Sequence, residues 1–320
     1  MSTRYYLGID GGGTKTEAVL CDAQGRILMH QFCGATNAND VGIPTATERL
    51  CGLISQARGY LSGDEDSLFI SCGVAGALNH RQTLIPMLSQ AFPKDQVEVN
   101  SDALNLLSSE LCDGNGCCLI CGTGSVCFVR RGSEIWRIGG WGYLLDSSGS
   151  GYAMGREALE ASLRAHDGRG DATLLTGALM EKLGDAPWNK LTEIYEGGKA
   201  FIASFAPCVI ACAEEGDRVA FEILFRQARF LSEMLEAAYQ WRGDWENPLS
   251  VVLGGGIFHA KSDLIPLIKQ NITVPIQLTV ASAPPVFGAV WEAVRMDNET
   301  VTQDDYRTFR ENFMSDYSRE

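Results

Sequence analysis

The apolar residues fall in short runs broken by glycine-rich turns, and one such arrangement occurs twice. Residues 5–9 (YYLGI) form an apolar run that leads into Gly11, Gly12 and Gly13. TEAVLCD follows, then the polar turn AQGR, then ILMHQF. Runs of this length between glycine and polar turns predict three consecutive strands. Residues 117–121 (CCLIC) open the same plan again, with GTG, SVCFVRR, GS and EIWRI after them. The two stretches share little identity but the same order of strands and turns, which predicts an internal duplication.

Elsewhere helix and strand alternate. Behind Pro44, the positions Ala46, Leu50, Leu53, Ile54, Ala57 and Leu61 recur at helical spacing. SLFISCGVAG reads as a strand and glycine loop, and VEVNSDALNLL as a strand entering a helix at Asp102. Residues 150–240 read as mostly helical. Asp217 is placed to cap a long helix whose apolar stripe is Val219, Ile223, Phe230, Leu231, Met234 and Ala238. PLSVVLGGGIF predicts a strand and turn, followed by a helix ending near Lys269. ITVPIQLTV predicts the last strand and residues 286–295 the last firm helix. The polar stretch after it is expected to be a loose helix or disordered. The class is α/β in two similar halves. DGNG at residues 113–116 marks the boundary, giving an N-terminal domain over 1–114, a C-terminal domain over 115–296 and a tail over 297–320.

Composition removes several function classes. Apolar residues make up 45% and charged residues 21%, so the chain is not generally disordered. Lys plus Arg is 26 against 40 Asp plus Glu, a net charge of −14, which argues against a nucleic-acid face. No apolar run reaches the ~18 residues of a membrane helix. No signal peptide is visible, and a cytoplasmic protein is expected. The 11 cysteines are an odd number without framework spacing and are expected to be reduced, buried thiols. Cys118 and Cys121 form C-x-x-C, but without a second pair they read as part of a buried strand.

The 35 glycines sharpen the picture, because they gather directly after apolar strands: Gly11–Gly13, Gly122 and Gly124, Gly139, Gly140 and Gly142, and Gly254–Gly256. Glycine lets backbone N–H groups approach an anion closely. Several of these turns also carry Thr, Ser or Asp, as a phosphate site built from several loops requires. The Walker motif is absent, since Thr14 stands where it needs Lys, and no G-x-G-x-x-G occurs.

Five segments in order carry a resemblance. IDGGGTKT (residues 9–16) resembles the first phosphate loop of the actin, Hsp70 and sugar-kinase superfamily, CGTGS (121–125) the second, and VVLGGGIF (251–258) the adenosine motif. VNSDALNLL and APPVFGAVWEA resemble the two connecting helices. TNANDVG, NSDA, GTGS and GGWGYLL narrow this to the BadF/BadG/BcrA/BcrD-type ATPase family and its N-acetylglucosamine kinase-like branch. The resemblance implies two ribonuclease-H-like (actin-like ATPase) domains. Each has a five-stranded mixed sheet, with ATP and Mg²⁺ in the cleft between them, and the family suggests a homodimer. It also implies roles. Asp10 holds Mg²⁺ through water. Gly12, Gly13, Thr14 and Lys15 line the β- and γ-phosphates, and Gly122 and Thr123 bind phosphate from the second turn. Gly254, Gly255 and Gly256 lie against adenosine. Asn37, Gly140 and Trp141 line an amino sugar with Asp102, the base for its 6-hydroxyl.

Position alone leaves other readings open. Asp102 is also placed as a helix N-cap, and Trp141 between glycines is either core or a platform under a sugar ring. The four histidines are scattered and read as structural. One departure concerns specificity. Amino-sugar kinases usually read G-W-G-x-x-x-G-D-E-G-S, whereas this chain reads GWGYLLDSSGS. Ser147 and Ser148 replace the carboxylates, and Asp146, one position early, is the candidate to take their place. Asn39 stands where the vertebrate-type kinases have Trp, leaving room for a substituent such as the lactyl ether of N-acetylmuramate. The rival function is an ATPase that activates a 2-hydroxyacyl-CoA or benzoyl-CoA dehydratase. It needs a cysteine such as Cys121 or Cys127 at a dimer face to hold an iron–sulfur cluster.

Overall fold

The computed structural model describes residues 3–63, 65–241, 248–259, 263–298 and 300–319. In the first half the elements are β1 (Arg4–Gly11), β2 (Lys15–Asp22), β3 (Ile27–Gly34), α1 (Ala38–Val41), α2 (Ile43–Arg58), β4 (Ser67–Val74), α3 (Arg81–Ala91), β5 (Gln96–Asn100) and α4 (Asp102–Ser108). The second half begins with β6 (Gly116–Cys121), β7 (Ser125–Arg131) and β8 (Glu134–Ile138). The helices α5 (Gly151–His166), α6 (Leu175–Leu183), α7 (Leu191–Ala203), α8 (Ala206–Glu214) and α9 (Arg218–Gln240) follow. Then come β9 (Leu249–Gly254), α10 (Gly256–His259), α11 (Leu264–Asn271), β10 (Ile276–Val280), α12 (Pro285–Asp297) and α13 (Gln303–Tyr317).

The two sheets have one topology. Their strand orders are β3-β2-β1-β4-β5 and β8-β7-β6-β9-β10. In the first, β1 pairs antiparallel with β2 and parallel with β4. In the second, β9 runs parallel to β6 and β10, and β8 antiparallel to β7. Each sheet is therefore mixed, and the duplicated meander read from the sequence opens each.

The chain divides into Met1–Gly116 with Ala281–Glu320, and Cys117–Val280. The boundary lies beside the DGNG turn, but the C-terminal end departs from the expected partition, because residues 281–296 join the first unit. The reason is packing. Strand alternation in β1 sends Leu7 and Ile9 to one face, against Leu50, Ile54 and Leu84. The other face receives Val286, Phe287, Val290 and Trp291 of α12. At Gly8 a Cβ atom would lie 2.6 Å from Val290 Cγ2, so only glycine lets α12 approach β1 this closely.

The expected loose tail is a regular helix instead. Thr302 and Asp305 form a capping box at the start of α13. Tyr306, Phe309 and Phe313 are buried among Phe287 and Trp291. Tyr306 Oη donates to the Ser109 carbonyl at 2.6 Å, and Tyr317 Oη to Glu17 Oε1 at 2.8 Å. The aromatic residues at helical spacing were visible in the sequence, hidden among charges.

Cys117–Val280 holds its own core, which joins β6, β7 and β9 to α5, α6, α8, α9 and α11. Asp217 caps α9 as expected, accepting from Ala220 N at 2.8 Å. The buried face of α9 is broader than the expected stripe. Ile223, Leu231 and Ala238 lie in it with Ala220, Leu224, Gln227, Ala228 and Leu235. The polar Gln227 concealed its centre. None of the cysteines is exposed. Among the described residues no single helix is long and apolar enough to cross a membrane.

Candidate functional site

In the first unit, β1 carries Asp10 to its end, where the chain turns through Gly12, Gly13 and Thr14. Gly12 N donates to Lys15 O at 2.9 Å, and Gly12 O accepts from Thr36 N at 3.2 Å. This ties the turn to the segment before α1. Asn105 Nδ2 donates to Asp10 Oδ1 at 2.7 Å and to the Gly73 carbonyl at 3.2 Å. Burial pushes the Asp10 carboxyl up to about 6, the Asn105 bond opposes that rise, and the nearby Asp102 charge adds to it. Asn105 was not among the residues expected to matter. Its signal was spacing, since positions 102 and 105 share one helix face.

Asp102 is not the N-cap of α4. Ser101 is, with its Oγ accepting from Ala103 N at 3.3 Å. Asp102 is the first helical residue. Its Oδ1 accepts from Ser101 Oγ at 3.1 Å and from Ala103 N at 3.0 Å. Burial raises its carboxyl above the ordinary aspartate range, and these two bonds oppose the rise.

Asn37 caps α1. Its Oδ1 accepts from Asn39 N at 3.1 Å, and its Nδ2 donates to Asp40 Oδ2 at 2.7 Å. Asn39 Oδ1 meets His80 Nε2 at 2.9 Å, which gives one scattered histidine a place beside the expected sugar residues. Thr14 and Lys15 are exposed. The Lys15 ammonium lies 5.4 Å from the centroid of the Phe32 ring, a cation–π contact.

In the second unit, the turn between β6 and β7 is held by Gly122 N donating to Gly124 O at 2.8 Å. The carbonyls of Gly122 and Thr123 accept from Gly151 N (2.8 Å) and Tyr152 N (3.2 Å) at the start of α5. Gly255 has φ +98°, and a Cβ there would collide with the Cys121 carbonyl. The β9 turn thereby lies directly against β6. A cavity of about 360 Å³ opens beside both turns, lined by Gly122, Thr123, Gly151, Gly256 and Ile257. Its remaining wall is apolar except for Ser204 and comes from Ala200, Ala203, Ala206, Pro207 and Ile210 of α7 and α8. Gly254 ends β9, and neither it nor Gly255 is on the cavity wall, so of the three glycines expected against adenosine only Gly256 lines this cavity. The helical wall had no motif to announce it.

A second cavity of about 280 Å³ has Thr123, Gly124 and Ser125 on one side and Gly140, Gly142, Asp146 and Ser147 on another. Asp146 therefore shares a cavity with the glycine turn between β6 and β7. Its loop is fixed through the backbone. Gly142 O accepts from Asp146 N at 2.8 Å, Ser148 O from Ser125 Oγ at 2.6 Å, and Gly149 N donates to Gln227 Oε1 at 2.7 Å. Trp141 is 62% exposed with the Arg137 guanidinium 4.6 Å from its ring, so it is not a core residue.

Cys121 and Cys127 are fully buried. Burial pushes the Cys121 thiol up to about 12, and Cys127 Sγ lies 3.1 Å from Cys117 Sγ. Both are strand-packing residues, and neither reaches a surface where a partner subunit could share a cluster.

The BadF/BadG/BcrA/BcrD ATPase family matches residues 7–293 of the chain. An N-acetylmuramic acid/N-acetylglucosamine kinase of Clostridium acetobutylicum is 29% identical over 90% of this chain and 97% of its own length. An N-acetyl-D-glucosamine kinase of Dictyostelium discoideum is 30% identical over 85% of this chain and 91% of its own. The solved structure of a proposed N-acetylglucosamine kinase from Chromobacterium violaceum superposes with a TM-score of 0.66 at 22% identity. It covers 92% of this chain and 100% of that one, a likeness of fold.

Proposed function

The chain belongs to the BadF/BadG/BcrA/BcrD ATPase family, and from that premise we propose that it is an ATP-dependent kinase of amino sugars, transferring phosphate to the 6-hydroxyl of an N-acetylated sugar. The observation that carries the reading is the pair of desolvated carboxylates, Asp10 ending β1 and Asp102 opening α4. It stands in a chain whose relatives of nearly equal length are amino-sugar kinases.

Each residue then has a physical task. Asp102 accepts the proton of the sugar hydroxyl. A carboxylate offers about four acceptor sites, and Ser101 and Ala103 occupy only part of that capacity. Burial makes the Asp102 anion a better base than an exposed aspartate. Backbone N–H groups of the glycine turns bind phosphate oxygens and help neutralise the charge that shifts during transfer, apart from those of Gly12 and Gly122, which close their own turns on Lys15 O and Gly124 O. In the second unit Asp146 and Gly140 line one cavity and orient sugar hydroxyls, and Trp141 offers an apolar ring face.

Asp10 suits Mg²⁺ held through water. It is a hard oxygen ligand, and a desolvated anion of this kind is stabilised by a nearby cation. The ion, when bound, neutralises phosphate charge. Asn105 fixes the orientation of the Asp10 carboxylate.

A coupled assay of ADP release tests the reading over glucosamine, N-acetylglucosamine, N-acetylmuramate, N-acetylmannosamine and glucose. Turnover is expected with N-acetylglucosamine and N-acetylmuramate, the latter because Asn39 is small and held against His80. ADP release that ignores every sugar would remove the kinase reading. Acid pH gives a second prediction. Asp102 acts ionised, and burial raises its carboxyl above the ordinary aspartate range. Activity is therefore lost as pH falls through this raised value, and kcat/KM is expected to break above the ordinary value of ~4. A plateau extending to pH ~4 would exclude Asp102 as a desolvated base.

A further inference from the structure

Helix α7 is broken at Gly198, which has φ +63° and ψ −162°. Its neighbour Gly197 is equally constrained, since a Cβ there would lie 2.6 Å from the Phe201 ring. Phe201 packs edge-on against the fully buried Phe205 at 5.2 Å. The two glycines thus place a bend directly before Lys199, and Lys199 lines the 280 Å³ cavity with Thr123, Ser125 and Asp146.

Thr123 and Ala200 line both this cavity and the 360 Å³ cavity, so the two adjoin at the second phosphate turn. Among the described residues lining the pair, Lys199 is the one cation. Among the described residues no carboxylate or carbonyl holds it. The lysine expected at the phosphates, Lys15, is engaged with the Phe32 ring. A chain of charge −14 needs a local positive group where a polyanion binds.

We propose that Lys199 binds the terminal phosphates of the nucleotide, with adenosine in the larger cavity and Asp146 facing the sugar across the smaller one. The inference rests on the kinase reading. Its distinctive content is a phosphate-binding cation on a bent helix, outside every glycine turn.

The test is calorimetric titration of the full-length protein with a non-hydrolysable ATP analogue, with ADP and with adenosine. It compares the wild type, Lys199→Met and Lys199→Arg. Loss of a charged hydrogen bond is expected to weaken the ATP analogue by about 10- to 100-fold in Lys199→Met. Adenosine should stay within about twofold, since the apolar wall is unchanged, and Lys199→Arg should recover most of the loss. In steady-state kinetics the Lys199→Met defect should appear in the ATP terms, with the sugar KM unchanged. Binding of the ATP analogue by Lys199→Met within twofold of wild type overturns the proposal. So does an equal loss for adenosine, or a defect confined to the sugar KM. Wild-type protein that binds no adenosine overturns it together with the cavity assignment. If the wild type shows the phosphate-dependent contrast but no sugar turnover, the kinase reading fails and Lys199 keeps its role.

Discussion

Asp102→Asn is expected to lower kcat by about 10²–10⁴-fold, the range for loss of a general base. The substitution is nearly isosteric and removes one capability, acceptance of a proton. Because Ser101 rather than Asp102 caps α4, the helix start survives the change. The stability consequence has a definite sign. Burial raises the Asp102 carboxyl above its value in the unfolded chain, so ionising it at neutral pH costs folding free energy. That cost is absent below the unfolded pKa and grows as pH rises through the folded one. The asparagine variant should therefore unfold at the same temperature as wild type or higher at pH 7. Kinetics and thermal unfolding on the same preparation check both halves. Near-normal turnover removes Asp102 as the base, and a marked loss of stability would make the carboxylate a structural group.

Trp291→Ala is expected to destabilise the first unit by about 3–5 kcal/mol, the range for truncating a large buried aromatic. Trp291 is fully buried, meets Tyr306 edge-on at 5.0 Å and Phe309 at 5.7 Å, and donates from Nε1 to the Cys112 carbonyl at 2.8 Å. Truncation opens a cavity under α13 and strands that carbonyl. Denaturant unfolding followed by probes in each unit is the appropriate readout, since the two units need not unfold together. A loss below about 1 kcal/mol would mean that α13 contributes little to this core.

The two predictions differ in how much of each was legible beforehand. Asp102 stood in a recognisable segment, but its bland alternative was removed only when Ser101 proved to be the cap. Trp291 lay in a segment that resembled a connecting helix, yet the sequence placed it in the second half. Its apolar stripe says that α12 is buried without saying against what. Gly8 and Gly288 answer that. A Cβ at Gly8 would press on Val290, and one at Gly288 would collide with the Asn105 carbonyl. Both are close approaches between segments far apart in the chain. The α13 helix was missed because its net polarity masked the spacing of Tyr306, Phe309 and Phe313.

The candidate site divides in the same way. Glycine turns after apolar strands are local features, because a sharp turn and a close N–H approach depend on neighbouring residues. The sequence by itself therefore determined the strands, the duplicated meander, the two glycine turns and the place of Asp10 at a strand end. Its order of segments also determined the family. Only the tertiary structure decided that Asn105 orients Asp10, that Asp146 shares a cavity with the glycine turn between β6 and β7, that Gln227 anchors its loop and that Lys199 lines the same space. These contacts join positions from 22 up to 95 residues apart. No periodicity encodes such pairings, because burial and charge at one position depend on which distant segment the fold brings against it.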